Sequence, residues 1–206
     1  MLENLHWLGH DTFRIDGPPV IYVDPYQLRD GLPPADLILI THDHFDHLSP
    51  ADVARLHRPT TRVVAPKEVE GKLSVPVEVI AVGESKTVAG VKIKAVPAYN
   101  TDKSYHPKKD GKVGFVFAVG GVTYYHAGDT DVIPEMAGLA PDVALLPVSG
   151  TYVMTAQEAV EAARSIKPKF AVPMHYGAIV GAEADAKKFA KLLEGSGIQV
   201  VIKQKE

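Results

Sequence analysis

The chain has 206 residues, of which 46% are hydrophobic and 23% charged, with a formal net charge of −3 and no cysteine. That composition fits one folded domain over 1–206 with a real core, and it excludes an intrinsically disordered chain. It also excludes disulfides and thiolate metal sites, leaves no apolar run near the roughly 20 residues a membrane span needs, and gives no basic surplus for nucleic acid.

The N-terminus, Met1-Leu2-Glu3-Asn4, has neither a basic nor an apolar leader region, so a cytoplasmic protein without a signal peptide is expected. Asn occurs only at positions 4 and 100, Cys never, while Pro reaches 16. Scarcity of heat-labile side chains with proline-rich loops is a pattern of thermophile proteins, although a short chain can show it by sampling.

Leu5–Leu8, Thr12–Asp16 and Val20–Val23 read as short strands, with Gly17-Pro18-Pro19 turning between the last two. Residues 36–40 (Asp-Leu-Ile-Leu-Ile) form a continuous apolar run, as in a strand buried on both faces, which leads to His42. Ser49 then caps a helix to about His57, with Pro50 at its first position. Arg62–Ala65, Val77–Val82 and Val91–Pro97 are further strands. Val113–Val119 and Val122–His126 form a hairpin about Gly120-Gly121.

After a strand at Val143–Val148, Thr155 and Glu158 make a capping box for a helix whose apolar face is Ala159, Val160, Ala163 and Ile166. Phe170–Met174 is a strand ending at His175. Ala186, Phe189, Ala190 and Leu193 stripe a last helix, and Ile198–Ile202 closes as a strand. This mixed order suits two packed sheets with helices outside.

His42 and His44 stand two apart beyond a strand, a spacing that in extended chain turns both imidazoles to one face. Asp46 and His47 follow as the chain bends toward the helix. Three histidines and a carboxylate within six residues suit zinc or a similar divalent ion. The run Tyr124-Tyr125-His126-Ala127-Gly128-Asp129-Thr130 is a strand, a glycine turn and an acid. Met174-His175-Tyr176-Gly177 is again a strand, a histidine and a glycine. Both put a ligand just past a strand end, where loops gather over a rigid sheet. Asp129 can bridge two metals, and His175 can complete the second.

The sequence H-x-H-x-D-H, the later Gly-Asp-Thr and the late strand-end His resemble the metallo-β-lactamase superfamily. More narrowly, Trp7-Leu8-Gly9-His10, Tyr125-His126-Ala127-Gly128-Asp129-Thr130 and Pro173-Met174-His175-Tyr176-Gly177 resemble its bacterial L-ascorbate-6-phosphate-lactonase-like branch. The likeness spans nearly the whole chain and implies an α+β fold of four layers, an αββα sandwich, with the site where both sheets end. It implies that His42 and His44 hold a first metal, and Asp46, His47 and His175 a second, with Asp129 between them. Two divalent ions, zinc or else manganese, nickel or iron, would share a hydroxide that Asp46 orients.

The sequence departs from this pattern in one place. Strand 91–97 runs into Ala98-Tyr99-Asn100, with no histidine where a third imidazole for the first metal is expected. His10, in the first hairpin, is the expected replacement. His106 is the other candidate, and is otherwise expected to contact substrate or to act as acid or base. Tyr99, Tyr152 and Tyr176 flank the site loops and are candidate substrate contacts. His6, His57 and His126 read as packing histidines, and Asp24 as a supporting or turn residue. Lys103, Lys108, Lys109 and Lys112 would attract an anionic substrate, unless Asp102 and Asp110 leave them a neutral solvated loop.

The function implied is metal-dependent hydrolysis of a small molecule, a phosphodiester or a phosphorylated lactone or ester. The competing class is a non-catalytic metal-dependent sensor on the same scaffold, favoured if the third ligand is absent.

Overall fold

Where a short apolar run is buried on both faces, its strand must lie between other layers, and the chain provides several such runs. The computed structural model describes residues 2–206. Strands β1 (Leu5–Gly9), β2 (Thr12–Ile15), β3 (Ile21–Val23), β4 (Leu37–Leu39), β5 (Arg62–Ala65) and β6 (Glu78–Val79) hydrogen-bond in chain order into one sheet, antiparallel from β1 to β3 and parallel from β3 to β6. Strands β7 (Ser85–Val88), β8 (Val91–Pro97), β9 (Val113–Val119), β10 (Val122–His126), β11 (Val143–Pro147), β12 (Phe170–Met174) and β13 (Gln199–Val200) form the second, again in chain order. It is antiparallel from β7 to β10 and parallel onward.

Strand periodicity sorts the side chains into layers. Leu37 and Leu39 join Phe13, Ile21, Val64, Phe115 and Leu145 in one buried cluster shared by both sheets. Ile38 and Ile40 point the other way, to a second cluster with Val53 and Leu56 of α1 (Pro50–Leu56). On the far side of the second sheet, α2 (Ala156–Ile166) buries Ala159, Val160, Ala163 and Ile166, and α3 (Glu183–Leu192) buries Ala186 and Phe189. The result is the four-layer αββα sandwich. Fully burying side chains of this kind is worth about 1.5–3 kcal/mol each, so the shared core dominates the stability. Among the described residues, no helix is long and apolar enough to cross a membrane.

Helix starts follow their local chemistry. Ser49 accepts from the Asp52 N–H, and Thr155 and Glu158 form the reciprocal capping box. The differences from expectation lie in weakly patterned segments. Strand 77–82 shrinks to β6 because the chain turns at Gly83, whose φ is +84°, with the Glu84 carboxylate accepting from the Ala81 N–H at 2.9 Å. Strand β7 carries no expectation at all, since it is a polar edge strand in which only Val88 is buried. The closing strand shortens to two residues.

Candidate metal centre

Five chain segments meet at one rim of the sandwich. Each emerges from a strand end: the β1–β2 turn with His10 and Asp11, Asp24 after β3, residues 41–47 beyond β4, Asp129 after β10 and His175 after β12. The β8–β9 loop adds His106. Anchoring on two sheets explains how such short loops hold side chains rigidly. Gly128 is required next to Asp129. Its φ is +62°, and a Cβ there would lie 3.0 Å from the Val113 carbonyl oxygen and 3.2 Å from the Thr41 side chain.

The rim is also where backbone strain gathers. Of eight non-glycine residues with positive φ among the described residues, His10 (+51°), Asp24 (+45°) and His175 (+60°) belong to it, and Tyr152 (+69°) lines the cavity above it. Such conformations cost free energy and persist where surrounding contacts enforce them. Here the His10 carbonyl accepts from the Trp7 indole N–H at 2.8 Å and from the His175 backbone N–H at 3.2 Å, tying the first turn to the end of β12.

Two groups of ligand-type atoms converge. His42, His44, His106 and Asp129 make one; His10, Asp46, His47 and His175 make another, and Asp129 also lies with His47, His175 and Asp11. Asp129 Oδ1 is 3.3 Å from His47 Nε2 and 3.4 Å from His175 Nε2. Its Oδ2 is 3.4 Å from His106 Nε2 and 3.9 Å from His42 Nε2. His106 Nε2 is 3.2 Å from His44 Nδ1. Yet His42 Nε2, His47 Nε2, His175 Nε2 and Asp129 Oδ1 are buried with no hydrogen-bond partner.

Buried polar atoms without partners are costly and rare, so a group facing them is implied. Metal bonds of about 2.0–2.1 Å at tetrahedral angles set ligand atoms ~3.4 Å apart. The spacings from Asp129 to His47, His175 and His106 match that figure, with His42 somewhat further at 3.9 Å, and the donor set of imidazoles and carboxylates is the one divalent transition metals take. The residues therefore fit a pair of metal ions sharing Asp129.

The other nitrogen of His42, His47, His106 and His175 is held from behind, as metal-binding histidines require. His47 Nδ1 faces Asp24 Oδ2 at 2.9 Å, while Asp24 also accepts from the Thr41 N–H at 2.8 Å and the Thr41 hydroxyl at 2.6 Å. His42 Nδ1 lies 3.0 Å from Thr41 Oγ1, and His175 Nδ1 lies 2.9 Å from Ser149 Oγ. Asn100 Oδ1 accepts from both the backbone N–H of His106 (3.1 Å) and its Nδ1 (3.0 Å), and the Asn100 amide N–H₂ donates to the Tyr152 carbonyl. His126 takes no part in the convergence. Its Nε2 donates to the Asp11 carbonyl and its Nδ1 accepts from the Gly128 N–H, which fixes the loops on either side.

Burial pushes the imidazoles of His10, His42 and His44 down, and takes His106 down to about 4. His47 and His175 behave oppositely. Burial alone would lower them, but Asp129, with Asp24 for His47 and Asp11 for His175, outweighs it. His47 is held well above its ordinary value and His175 rises to about 9. Asp129 is itself held well below the carboxylate range by those two neighbours, against its burial. Without metal, two imidazolium charges thus stand on either side of Asp129, where a dication would supply the same charge.

The structure redistributes two expected residues. His10 is not beside His42 and His44. It sits with the second group, its Nε2 donating to Asp46 Oδ2 at 3.0 Å, so it orients Asp46. His106 fills the third-imidazole position of the first group, reached through a loop rather than from the end of β8. Its Nδ1 is bonded to Asn100 and its Nε2 faces His44 Nδ1 and Asp129 Oδ2, the orientation of a ligand rather than of a free acid or base.

Tyr99 and Tyr176, expected to touch substrate, do not line the cavity above the centre. Tyr99 donates to Glu135 at 3.0 Å, and Tyr176 stacks on Trp7 with ring centroids 4.8 Å apart. Tyr152 does line it. Sequence reasoning passed over Asn100 and Ser149, whose roles appear only through contacts distant in sequence. It also passed over Asp11, a fully buried carboxylate whose two oxygens have no hydrogen-bond partner and whose pKa burial pushes well up. The adjacent His10 was the only local signal.

The sequence profile of the family described as "Beta-lactamase superfamily domain" matches residues 4–175. A protein of Pyrococcus furiosus named as a UPF0173 metal-dependent hydrolase is 35% identical, over 97% of this chain and 96% of its own length. A crystal structure of a protein from Parabacteroides distasonis superposes with a TM-score of 0.88 at 35% identity, covering 98% of this chain and 93% of that one. Igni18, a metallo hydrolase from the hyperthermophilic archaeon Ignicoccus hospitalis, superposes with a TM-score of 0.81 at 28% identity, covering 97% and 94%.

Proposed function

We propose, for a chain that belongs to the metallo-β-lactamase superfamily and within it to the UPF0173 family, that it is a hydrolase working with two divalent metal ions. His42, His44, His106 and Asp129 would hold one ion, and Asp46, His47, His175 and Asp129 the other. The observation that carries this is the set of partnerless buried atoms facing one another about Asp129 at metal-ligand spacings. When bound, such a pair supplies Lewis acidity and brings the pKa of water toward neutrality.

The chain's own groups do the positioning. Asp46 opens onto the cavity and is held ionised by the His10 hydrogen bond, despite its burial. With one oxygen taken by His10, its carboxylate would orient an attacking water and accept its proton. Asp24, Thr41, Ser149 and Asn100 fix the imidazoles before substrate arrives, which lowers the reorganisation needed in the reaction.

Chemistry of this kind opens phosphodiesters as well as carboxylic esters and lactones. The sensor reading drew its support from a first group lacking its third imidazole, and it loses that support where His106 is proposed for the position. The test is metal content by elemental analysis, with turnover of bis(4-nitrophenyl) phosphate and of a simple γ-lactone, each with and without chelator. Hydrolysis of either that vanishes with chelator and returns with zinc or manganese is expected. A protein that binds two ions yet hydrolyses neither would favour the sensor.

A further inference from the structure

We infer that the substrate of this centre is an ester, such as a lactone, bearing an apolar or aromatic group and no phosphate away from the bond that breaks. The inference rests on the hydrolase reading above and concerns which molecule the site accepts.

A cavity of about 500 Å³ opens over Asp46, His44, His106 and Asp129, a size suited to a small organic ligand. Its outer wall is Phe45, Tyr105, Tyr152 and Ile179. These four are 68%, 55%, 37% and 41% exposed, and only two other large apolar side chains of the described residues, Val82 and Leu192, are as open to solvent. Apolar surface left in water is unfavourable, and its concentration at one place marks a surface that is covered in use. Tyr105 meets Tyr152 edge-on at 4.5 Å, and Phe45 meets Tyr26 edge-on at 6.1 Å, so the rings on the two sides are braced rather than loose. Such walls take an aromatic or aliphatic group at small entropic cost.

Charge argues the same way. Among the described residues, no lysine or arginine lines the cavity. The lysines of the neighbouring loop are committed elsewhere. Lys103 pairs with Asp102 and Asp131, Lys108 with Glu135, and buried Lys112 with Asp43 and Glu68. Lys109 is exposed and outside the wall. The ionisable side chains that do line it are aspartates and histidines, and Asp43 is already paired with Lys72 and Lys112. A phosphate carried away from the reacting bond would therefore meet aromatic carbon and carboxylate, where recognition calls for arginine or lysine.

In the reaction, the water oxygen bonds to the carbonyl carbon and the acyl C–O bond breaks. The departing alkoxide takes a proton, so a lactone and one water give one hydroxy acid.

The test compares γ-phenyl-γ-butyrolactone with a γ-butyrolactone carrying a phosphorylated hydroxymethyl group, on the metal-loaded protein. Titration calorimetry with γ-phenyl-γ-butyrolactam, the slowly hydrolysed amide counterpart, supplies a readout free of turnover. The phenyl lactone is expected to have a kcat/KM at least about ten-fold the higher. Phe45→Ala and Tyr105→Ala should raise its KM and weaken lactam binding by about three- to ten-fold, while Leu192→Ala, remote from the cavity, changes neither. Equal or better turnover of the phosphorylated lactone would overturn the inference and leave the hydrolase reading standing. Lactam binding that falls in the two variants, with no lactone hydrolysed, would support the apolar ligand class and count against the hydrolase reading. A lactam that does not bind, or binds the variants as well as the parent, would overturn the inference.

Discussion

Replacing His106 by alanine is the sharpest perturbation of the proposed first metal group. The imidazole is 1% exposed, and its Nε2 stands 3.4 Å from Asp129 Oδ2 and 3.2 Å from His44 Nδ1. Its loss removes one of three imidazoles and leaves a space that water can enter. Loss of a supporting partner behind a ligand typically costs 10–100-fold in metal affinity, so loss of the ligand itself should cost at least about 100-fold. Asn100→Ala keeps the imidazole but removes the oxygen that holds its Nδ1, and about ten-fold is expected. His10→Ala should act on the other ion, weakening it about ten-fold by freeing Asp46, and leave the first intact. Elemental analysis after dialysis against buffered metal measures occupancy. Anomalous scattering from manganese-soaked crystals shows which ion is missing. If His10→Ala empties the position between His42 and His44 while His106→Ala keeps both ions, the assignment drawn from these distances is wrong.

Asp129→Ala should release at least one ion and abolish turnover, since one carboxylate faces both groups; two retained ions with normal turnover by elemental analysis and kinetics would remove Asp129 from the bridging position. Metal uptake near pH 7 should expel about two protons per chain, from His47 and His175, because both are held protonated in the metal-free protein. Calorimetry in buffers of different ionisation enthalpy counts them, and the number should fall as pH rises through about 9, the value for His175. The same shift has a consequence for stability without metal: a raised histidine pKa stabilises fully below its unfolded value of 6.5. That contribution of His175 is lost as pH climbs through about 9, which melts at several pH values would show. The scarcity of Asn and Cys, with abundant Pro, predicts a metal-loaded melting temperature above the ~45–65 °C of mesophile domains. A scan within that range would count against the thermophile reading.

Much of the fold was legible because its signals are local and periodic. The alternation of residues 37–40 between two buried clusters, the Ser49 and Thr155 caps, and the Gly120-Gly121 hairpin all act within a few residues. What escaped was β7, whose side chains mostly face water and so carry no apolar rhythm, together with the lengths of edge strands that pair on one side only. Strand order within each sheet had no local signature either, being set by which apolar faces meet.

The metal centre divides along the same physical line. H-x-H-x-D-H could be read because its spacing alone presents several ligands to one point, and Asp129 and His175 because each follows a strand and lies within two residues of a glycine in the left-handed region. His106 could not be placed that way. Its position depends on Asn100, which folds the loop back by bonding two nitrogens of His106 and the carbonyl of Tyr152, a residue 52 positions further on. The position beyond β8 where a histidine was sought is thus occupied by the side chain that delivers one. His10 misled for the complementary reason: nearness in the first hairpin is shared by both metal groups, and only the 3.0 Å bond to Asp46 separates them. A ligand set read from sequence is reliable where one backbone segment fixes the geometry. It becomes ambiguous where a side chain from elsewhere, such as Asn100, must hold the ligand in place.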